Sequence, residues 1–243
     1  MAVSRSVKKY AETAVCGRNL IIESLPVRQR KGFLALCEHI ELPPGTTLCH
    51  AGTPFEYVYF PVSGTISMMT ELVGCRPLET ESLGCEGMMG ATMILNEKRA
   101  TQTGIVQTHS LMMRIKARTI AAALIEFPVL RRLMQRYLYF LHVEQQQSAA
   151  CFHLHDVPMR LAKGLLHTQD RVNSDHLLLT HQQLSESLGV RRGGVTIAAL
   201  ALQQAGIIQY SRGKIIILDR VRLEESACDC YRMSQQRYSS LFS

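Results

Sequence analysis

The chain has no tryptophan, and aromatic residues make up only 6% of its 243 positions. It lacks any run of about 18 uncharged apolar residues, so no membrane-spanning helix is expected. The opening MAVSRSVKKYAETAV has no apolar core of the signal-peptide kind, which makes a cytoplasmic location the expectation. There is no P-loop, no nucleophile elbow, no His-Glu-x-x-His and no Gly-x-Gly-x-x-Gly after a strand; Gly84 to Gly90 is too loosely patterned to count. An enzyme is therefore not expected. No internal repeat or low-complexity stretch is apparent. The eight cysteines follow no regular spacing, so they suggest no disulfide framework, and in a cytoplasmic setting they are mostly reduced. Charge is also scarce, at 19% against 47% hydrophobic residues, which describes a packed globular chain rather than a disordered one.

The charge that is present is unevenly placed. Residues 1–127 hold 13 Lys+Arg and 11 Asp+Glu, whereas residues 128–243 hold 14 and 9. A basic excess of this kind suits phosphate neutralisation and salt-sensitive binding. The first part reads as strands. After a helix expected from Val27 to His39, with Leu34, Leu36 and Cys37 on its apolar side, turn residues recur about every ten positions. They are Pro43-Pro44-Gly45, Ala51-Gly52-Thr53-Pro54, Val62-Ser63-Gly64, Val73-Gly74 and Leu83-Gly84. Between them Tyr57-Val58-Tyr59-Phe60 and Thr65 to Met69 read as strands, with more strand from Gly104 to Ile115. The expected fold is a small antiparallel β-barrel.

The pattern becomes helical after Ala117. Thr119 to Phe127 reads as a short helix, and Pro128 suits the first turn of a long one. Leu130, Met134, Tyr137 and Leu141 are spaced four, three, four, a heptad seam that fits a dimer interface, the alternative being one core helix of a monomer. His153 to Asp156 reads as a hinge, and Val157 to Gln169 as an amphipathic helix with Leu161, Leu165 and Leu166 inward.

The most telling stretch runs from Leu179 to Gly206. Thr180 can cap a helix on which Leu184 and Leu188 face inward. Gly189 suits a left-handed turn, Val190 plugs it, and Val195, Ala198, Ala199 and Leu202 form the buried side of a second helix. This is the pattern of a helix-turn-helix, which lays its second helix in the DNA major groove. Ile207 to Tyr210 and Ile215 to Leu218 flank Ser211-Arg212-Gly213-Lys214, a hairpin with two cations at its tip. Together they make a winged helix. The partner implied is double-stranded DNA. Arg192 is expected on guanine, Arg191 on a base or phosphate, and Thr196 against a thymine methyl. Thr180, Gln182 and Arg212 are expected at phosphates, with Lys214 beside them and Gly193 on the reading face.

The order of barrel, long helix, hinge and winged helix resembles the CRP/FNR family of bacterial transcription regulators across nearly the whole chain. The matching residues are Thr180 to Leu184 and Gly189 to Arg192 with Val195, and in the barrel Leu42 to Gly45, Ala51-Gly52, Tyr57 to Phe60 and Ser63-Gly64. The resemblance implies an α+β chain with three parts: a cyclic-nucleotide-binding-like barrel (1–127), a dimerisation helix (128–153) and a winged helix-turn-helix (154–243). It implies a homodimer on an inverted repeat and contact with RNA polymerase. The family's most familiar reader opens its recognition helix with Arg-Glu and carries a second Arg one turn on. Here Arg192 keeps the first Arg, Gly193 replaces the Glu, and Ile197 replaces the second Arg, so a different half-site is expected.

The family's cyclic-nucleotide cassette uses a Gly-Glu pair and a later Arg-Ser or Arg-Thr. The matching ligand positions here are Gly90, Ala91, Arg99 and Thr101. Ala91 cannot accept a ribose hydroxyl, and Arg99 comes about two positions early, so tight cAMP binding is not expected. The family's oxygen sensors gather cysteines near the N-terminus, where only Cys16 lies. Cys49, Cys75 and Cys85 lie in barrel segments and read as small hydrophobes, the alternative being a redox-sensitive thiol among them. His50 and His109 are potential haem ligands that nothing marks out. Cys228-Asp229-Cys230 lacks the two-residue gap of zinc knuckles and reads as a reduced pair on a C-terminal helix. Of Cys151, His153, His155 and Asp156, only Cys151 and His155 share a helix face, so the hinge reads as solvated histidines. No metal or cofactor is expected, and the effector is unidentified. The rival function is a sensory module that regulates a partner protein by docking.

Overall fold

The computed structural model describes residues 17–242; Cys16 lies outside them. Seven antiparallel strands build the barrel: Glu38–Leu42 (β1), Thr47–Cys49 (β2), Tyr57–Pro61 (β3), Ile66–Thr70 (β4), Leu78–Leu83 (β5), Thr103–Val106 (β6) and Ser110–Lys116 (β7). They form two sheets, ordered β1-β7-β3 and β2-β6-β4-β5. Val58, Phe60, Ile66, Val106, Met112 and Ile115 are sealed from solvent, and β3 and β4 are buried along nearly their whole length. Asn19 is buried, yet its side chain is satisfied. It donates to the carbonyls of Pro61 and Gly87 and caps the short helix Leu20–Glu23 (α1).

The helix expected from Val27 to His39 stops early. Val27–Leu34 (α2) buries Phe33 edge-on against Phe60 and Phe127, while Leu36 is exposed. His39 belongs to β1, where Glu38 to Leu42 pair with Arg114 to Ser110. The cross-strand ladder outcompetes local helix propensity there.

Ala117–Glu126 (α3) leads to Pro128–Leu154 (α4), with Pro128 in its first turn as expected. Three of the four heptad residues of α4 face inward, and Leu141 is partly buried. Leu130, Met134 and Tyr137 are buried in the core of their own barrel, together with Leu133 and Phe140. Side chains of this size contribute about 1.5–3 kcal/mol each when buried. The barrel therefore claims the apolar face that the spacing suggested for a dimer.

A second core lies in the C-terminal third. Leu161, Leu165 and Leu166 of Val157–Val172 (α5) pack with Leu184 and Leu188 of His181–Leu188 (α6) and with Val195, Ala198, Ala199 and Leu202 of Arg192–Gln204 (α7). The wing strands Ile208–Ser211 (β9) and Lys214–Ile217 (β10) close it, with Arg220–Ser226 (α8) behind. A strand the sequence reading missed, His176–Leu178 (β8), pairs with β10, so the wing is a three-stranded sheet ordered β8-β10-β9. The C-terminal helix Cys230–Phe242 (α9) runs back along α4. Its Tyr238 packs edge-on against Phe140 and donates to the carbonyl of Glu86 at 2.7 Å. Arg237 pairs with Glu144. Among the described residues no helix is long and apolar enough to cross a membrane.

Candidate nucleic-acid interface and sensor barrel

The reading unit is set by three local devices. Thr180 caps α6 in a reciprocal box: its hydroxyl oxygen accepts from the Gln183 amide at 3.2 Å, and the Gln183 side chain accepts from the Thr180 amide at 2.8 Å. Gly189 ends α6 at φ +63°, the left-handed turn that glycine adopts cheaply. The wing turn needs positive φ at both central residues, and Arg212 (+46°) and Gly213 (+80°) supply it. That is a type I′ hairpin, which matches the twist of its strands and holds the Arg212 side chain at the tip.

The structure brings most of the expected DNA contacts onto one exposed region. Arg191, Arg192, Gly193 and Thr196 are all exposed around the start of α7, as are Thr180, Arg212 and Lys214. Gln182 is only half-exposed, and it is engaged. It accepts from Arg192 at 2.9 Å and donates to Glu186, so it braces the Arg192 guanidinium rather than facing out alone. The Thr196 hydroxyl bonds back to the Arg192 carbonyl at 3.1 Å, so its hydrogen-bonding capacity is turned toward the helix. Arg191 caps α7 without a side-chain bond to the first-turn amides. Ile197, treated in the sequence only as a lost arginine, is 71% exposed, and Leu200 beside it is 47% exposed. Two apolar side chains on a reading face suit thymine methyls. The missed signal was their position outside the buried Val195, Ala198, Ala199, Leu202 stripe.

The cassette positions behave differently. Gly90 (φ +90°) and Ala91 lie in the turn that opens a short 3₁₀ helix, Ala91–Leu95, and Ala91 is buried. Arg99 and Thr101 are exposed, and the Arg99 guanidinium donates to the Gly52 carbonyl at 2.7 Å. Among the described residues, the buried barrel core contains methionines but no arginine. A side chain at Gly104 would meet Met89 Sδ, Cys49 Sγ and Met68 Sδ. Cys49 and Cys85 are buried and Cys75 is exposed. His50 and His109 are exposed, and His109 pairs with Glu41.

Barrel and reading head meet through α5 and β5. Arg171 of α5 pairs with Glu86 at 2.7 Å and donates to the Ser82 hydroxyl and carbonyl, both at 2.8 Å. A cavity of about 200 Å³ lies beside this contact, lined by Glu79, Glu81, Tyr137, Arg160, His167 and Gln183 among others. Burial pushes the Glu81 carboxyl up to about 7, with Arg171 opposing and Glu86 reinforcing the shift. Burial, reinforced by the positive charges of Arg171 and Lys163, pushes the His167 imidazole well below its ordinary range. Gly90, Ala91, Arg99 and Thr101 do not line this cavity.

One correction concerns the cysteines. Cys228 is not on the C-terminal helix but in the turn before it, and Cys230 opens that helix. The fold brings both to Cys151 and His155, leaving His153 and Asp156 exposed. Nothing in the local sequence spacing could show that two segments about 75 residues apart converge.

The geometry defines a helix-turn-helix protein with an attached β-barrel, and comparison with known proteins agrees. Residues 39–126 match the cyclic nucleotide-binding domain model, and residues 159–226 match the Crp-like helix-turn-helix domain model. The chain belongs to the CRP/FNR family of DNA-binding transcription regulators. No curated protein matches it by sequence. Its fold is similar to that of the c-di-GMP responsive global regulator CLP from Xanthomonas campestris, with a TM-score of 0.64 at 17% identity, covering 79% of this chain and 99% of that one. It is also similar to a CRP-family transcriptional regulator from Thermus thermophilus (0.63, 18%, covering 77% and 96%). FixK2 from Bradyrhizobium japonicum shows the same likeness (0.63, 18%, covering 79% and 98%).

Proposed function

We propose that this chain is a cytoplasmic, sequence-specific regulator that binds an inverted-repeat site as a homodimer. The observation that carries the reading is the exposed cluster of Arg191, Arg192 and Thr196 on α7 with Arg212 and Lys214 on the wing. In this proposal Arg192, braced by Gln182, reads guanine. Arg191, Thr180, Arg212 and Lys214 meet phosphates, and the Thr196 methyl joins Ile197 and Leu200 against thymine methyls. Gly193, with open space around its α-carbon, lets the DNA approach closely.

The three-part division at 127 and 153 is part of the proposal. The two separate cores support the division at 153, whereas the core shared by barrel and α4 runs across 127. Pairing of two copies then uses the outward face of α4. Tyr139, Val143, Gln146, Ala150 and His153 follow a four-three spacing there, and Tyr139 is 59% exposed. The barrel takes an effector other than cAMP; buried Ala91 and surface Arg99 support this. Contact with RNA polymerase belongs to the same proposal.

The test is selection of bound sequences from random duplex DNA with the purified chain, followed by Arg192→Ala. Enrichment of an inverted repeat is expected. The variant should lose about 1–3 kcal/mol of discrimination at one base pair per half-site while keeping its affinity for random DNA. An unchanged ratio of specific to random binding removes Arg192 from readout. No enrichment, even with cell-extract small molecules added, favours the docking module.

A further inference from the structure

At the junction of α4, α5 and the turn between α8 and α9, four side chains with metal-binding atoms converge. They are Cys151 in the last turn of α4, His155 just beyond it, and Cys228 and Cys230. Their donor atoms all lie within 4.8 Å of one another. Cys151 Sγ is 3.7 Å from Cys228 Sγ, and His155 Nδ1 is 3.4 Å from Cys151 Sγ and 3.6 Å from Cys230 Sγ. All three cysteines are buried, and they form a cluster separate from both domain cores.

These separations have a specific meaning. A tetrahedral zinc ion with Zn–S near 2.3 Å and Zn–N near 2.05 Å has ligand-to-ligand edges of about 3.8 Å for S–S and about 3.6 Å for S–N. The three separations above fall within about 0.2 Å of those edges. A disulfide would instead draw two sulfurs to about 2.05 Å. A [4Fe–4S] cluster places an iron under each ligand and holds the thiolate sulfurs much further apart. We infer that Cys151, His155, Cys228 and Cys230 form a four-coordinate zinc site of the Cys₃His type.

The surroundings fit that ion. Three thiolates, a neutral imidazole and Zn²⁺ carry one net negative charge. Lys163 of α5 places its ammonium 3.7 Å from Cys151 Sγ, where it offsets that charge and donates to the thiolate. Starting from three thiols, binding one ion forms three Zn–S bonds and one Zn–N bond and releases three protons. His155 ligates through Nδ1, which leaves Nε2 carrying the ring proton. His155 also marks where α4 ends: its amide bonds to the Cys151 carbonyl at 3.1 Å while its own backbone is already extended. The ion therefore ties the hinge residue to the C-terminal segment. Cys228 and Cys230 lie beyond residues 159–226, so the helix-turn-helix match does not include them.

The test uses the full chain, reduced and purified without chelator. Elemental analysis is expected to give about one zinc per chain. Co²⁺ added to the metal-stripped protein is expected to produce the visible bands of tetrahedral cobalt and sulfur-to-cobalt charge transfer, both bleached by Zn²⁺. Cys228→Ser/Cys230→Ser is expected to lose the bound zinc and these bands, whereas Cys75→Ser, at an exposed and remote thiol, keeps them. The cobalt spectrum of the unsubstituted chain decides the matter even if the double variant fails to fold. No tetrahedral spectrum and no bound zinc overturns the proposal. So does a Cys151–Cys228 disulfide found under reducing purification, or iron with inorganic sulfide in place of zinc.

Discussion

Replacing Arg171 with methionine removes the guanidinium that joins reading head to barrel while keeping most of the side chain's bulk. Arg171 and Glu86 are each only 13% exposed, so their 2.7 Å pair is well shielded from solvent. The guanidinium also holds the hydroxyl and carbonyl of Ser82. Exposed ion pairs contribute about 0–1 kcal/mol, but breaking a buried one by removing a single partner costs about 3–5 kcal/mol. The contact lies between two separate cores, so the loss is expected to appear as separation of the domains rather than as unfolding. At 13% exposure the pair is not wholly buried, which places the expected loss between these two ranges, about 2–3 kcal/mol. Hydrogen exchange of the segment 78–87 should then accelerate by roughly 30- to 150-fold, with the buried amides of β3 and α7 unchanged. Glu86→Gln alone should show a smaller effect, and the double variant should resemble Arg171→Met, since the lost partner is shared. Exchange that stays within about threefold of the unsubstituted chain would show that the pair adds nothing to docking.

Two further outcomes follow from single side chains. Glu81 has its carboxyl raised to about 7 from an ordinary 4.5. Between those values the folded chain holds a proton the unfolded chain has released, so this group makes stability fall as pH rises through that window. Glu81→Gln should match the unsubstituted chain below pH 4.5 and exceed it above pH 7 in denaturant midpoints; parallel pH profiles would refute this. Arg212→Asn keeps a residue that tolerates the left-handed region at φ +46° but removes the cation from the wing tip. Thermal stability should change by less than about 0.5 kcal/mol, while the salt slope of DNA binding by the proposed homodimer shrinks by about 1.8, about 0.9 from each copy. An unchanged slope would place Arg212 off the phosphates.

The devices that were legible in sequence are local ones. The cap at Thr180, the turn at Gly189, the buried stripe Leu184 to Leu202 and the wing hairpin each depend on residues within a few positions of one another, and each appears where its residue types demand. The strands β3 and β4 were readable for the same reason. What escaped was decided across the chain. His39 joined a strand because β7 offered a ladder. The seam of α4 turned inward because the barrel needed a lid, and periodicity states only that a face is apolar, not what covers it. β8 is three residues long and exists only by pairing with β10. The convergence of Cys151 with Cys228 and Cys230 depends on how α9 folds back along α4. The residues singled out on α7 and the wing are exposed, whereas Gln182 is half-exposed and braces Arg192, an arrangement that only their contact shows.

The inward seam of α4 also bears on how the amount of protein sets its effect. Leu130, Met134 and Tyr137 are satisfied within one protomer, so folding does not wait for a second copy. Chains that fold only as pairs have no stable single form. In the proposed homodimer, a folded single form could then accumulate, and pairing would be an equilibrium of its own. While single copies predominate, occupancy of a two-fold DNA site grows with the square of their concentration. A modest rise in synthesis then gives a sharper rise in occupancy, which amounts to a threshold set by abundance before any effector is present.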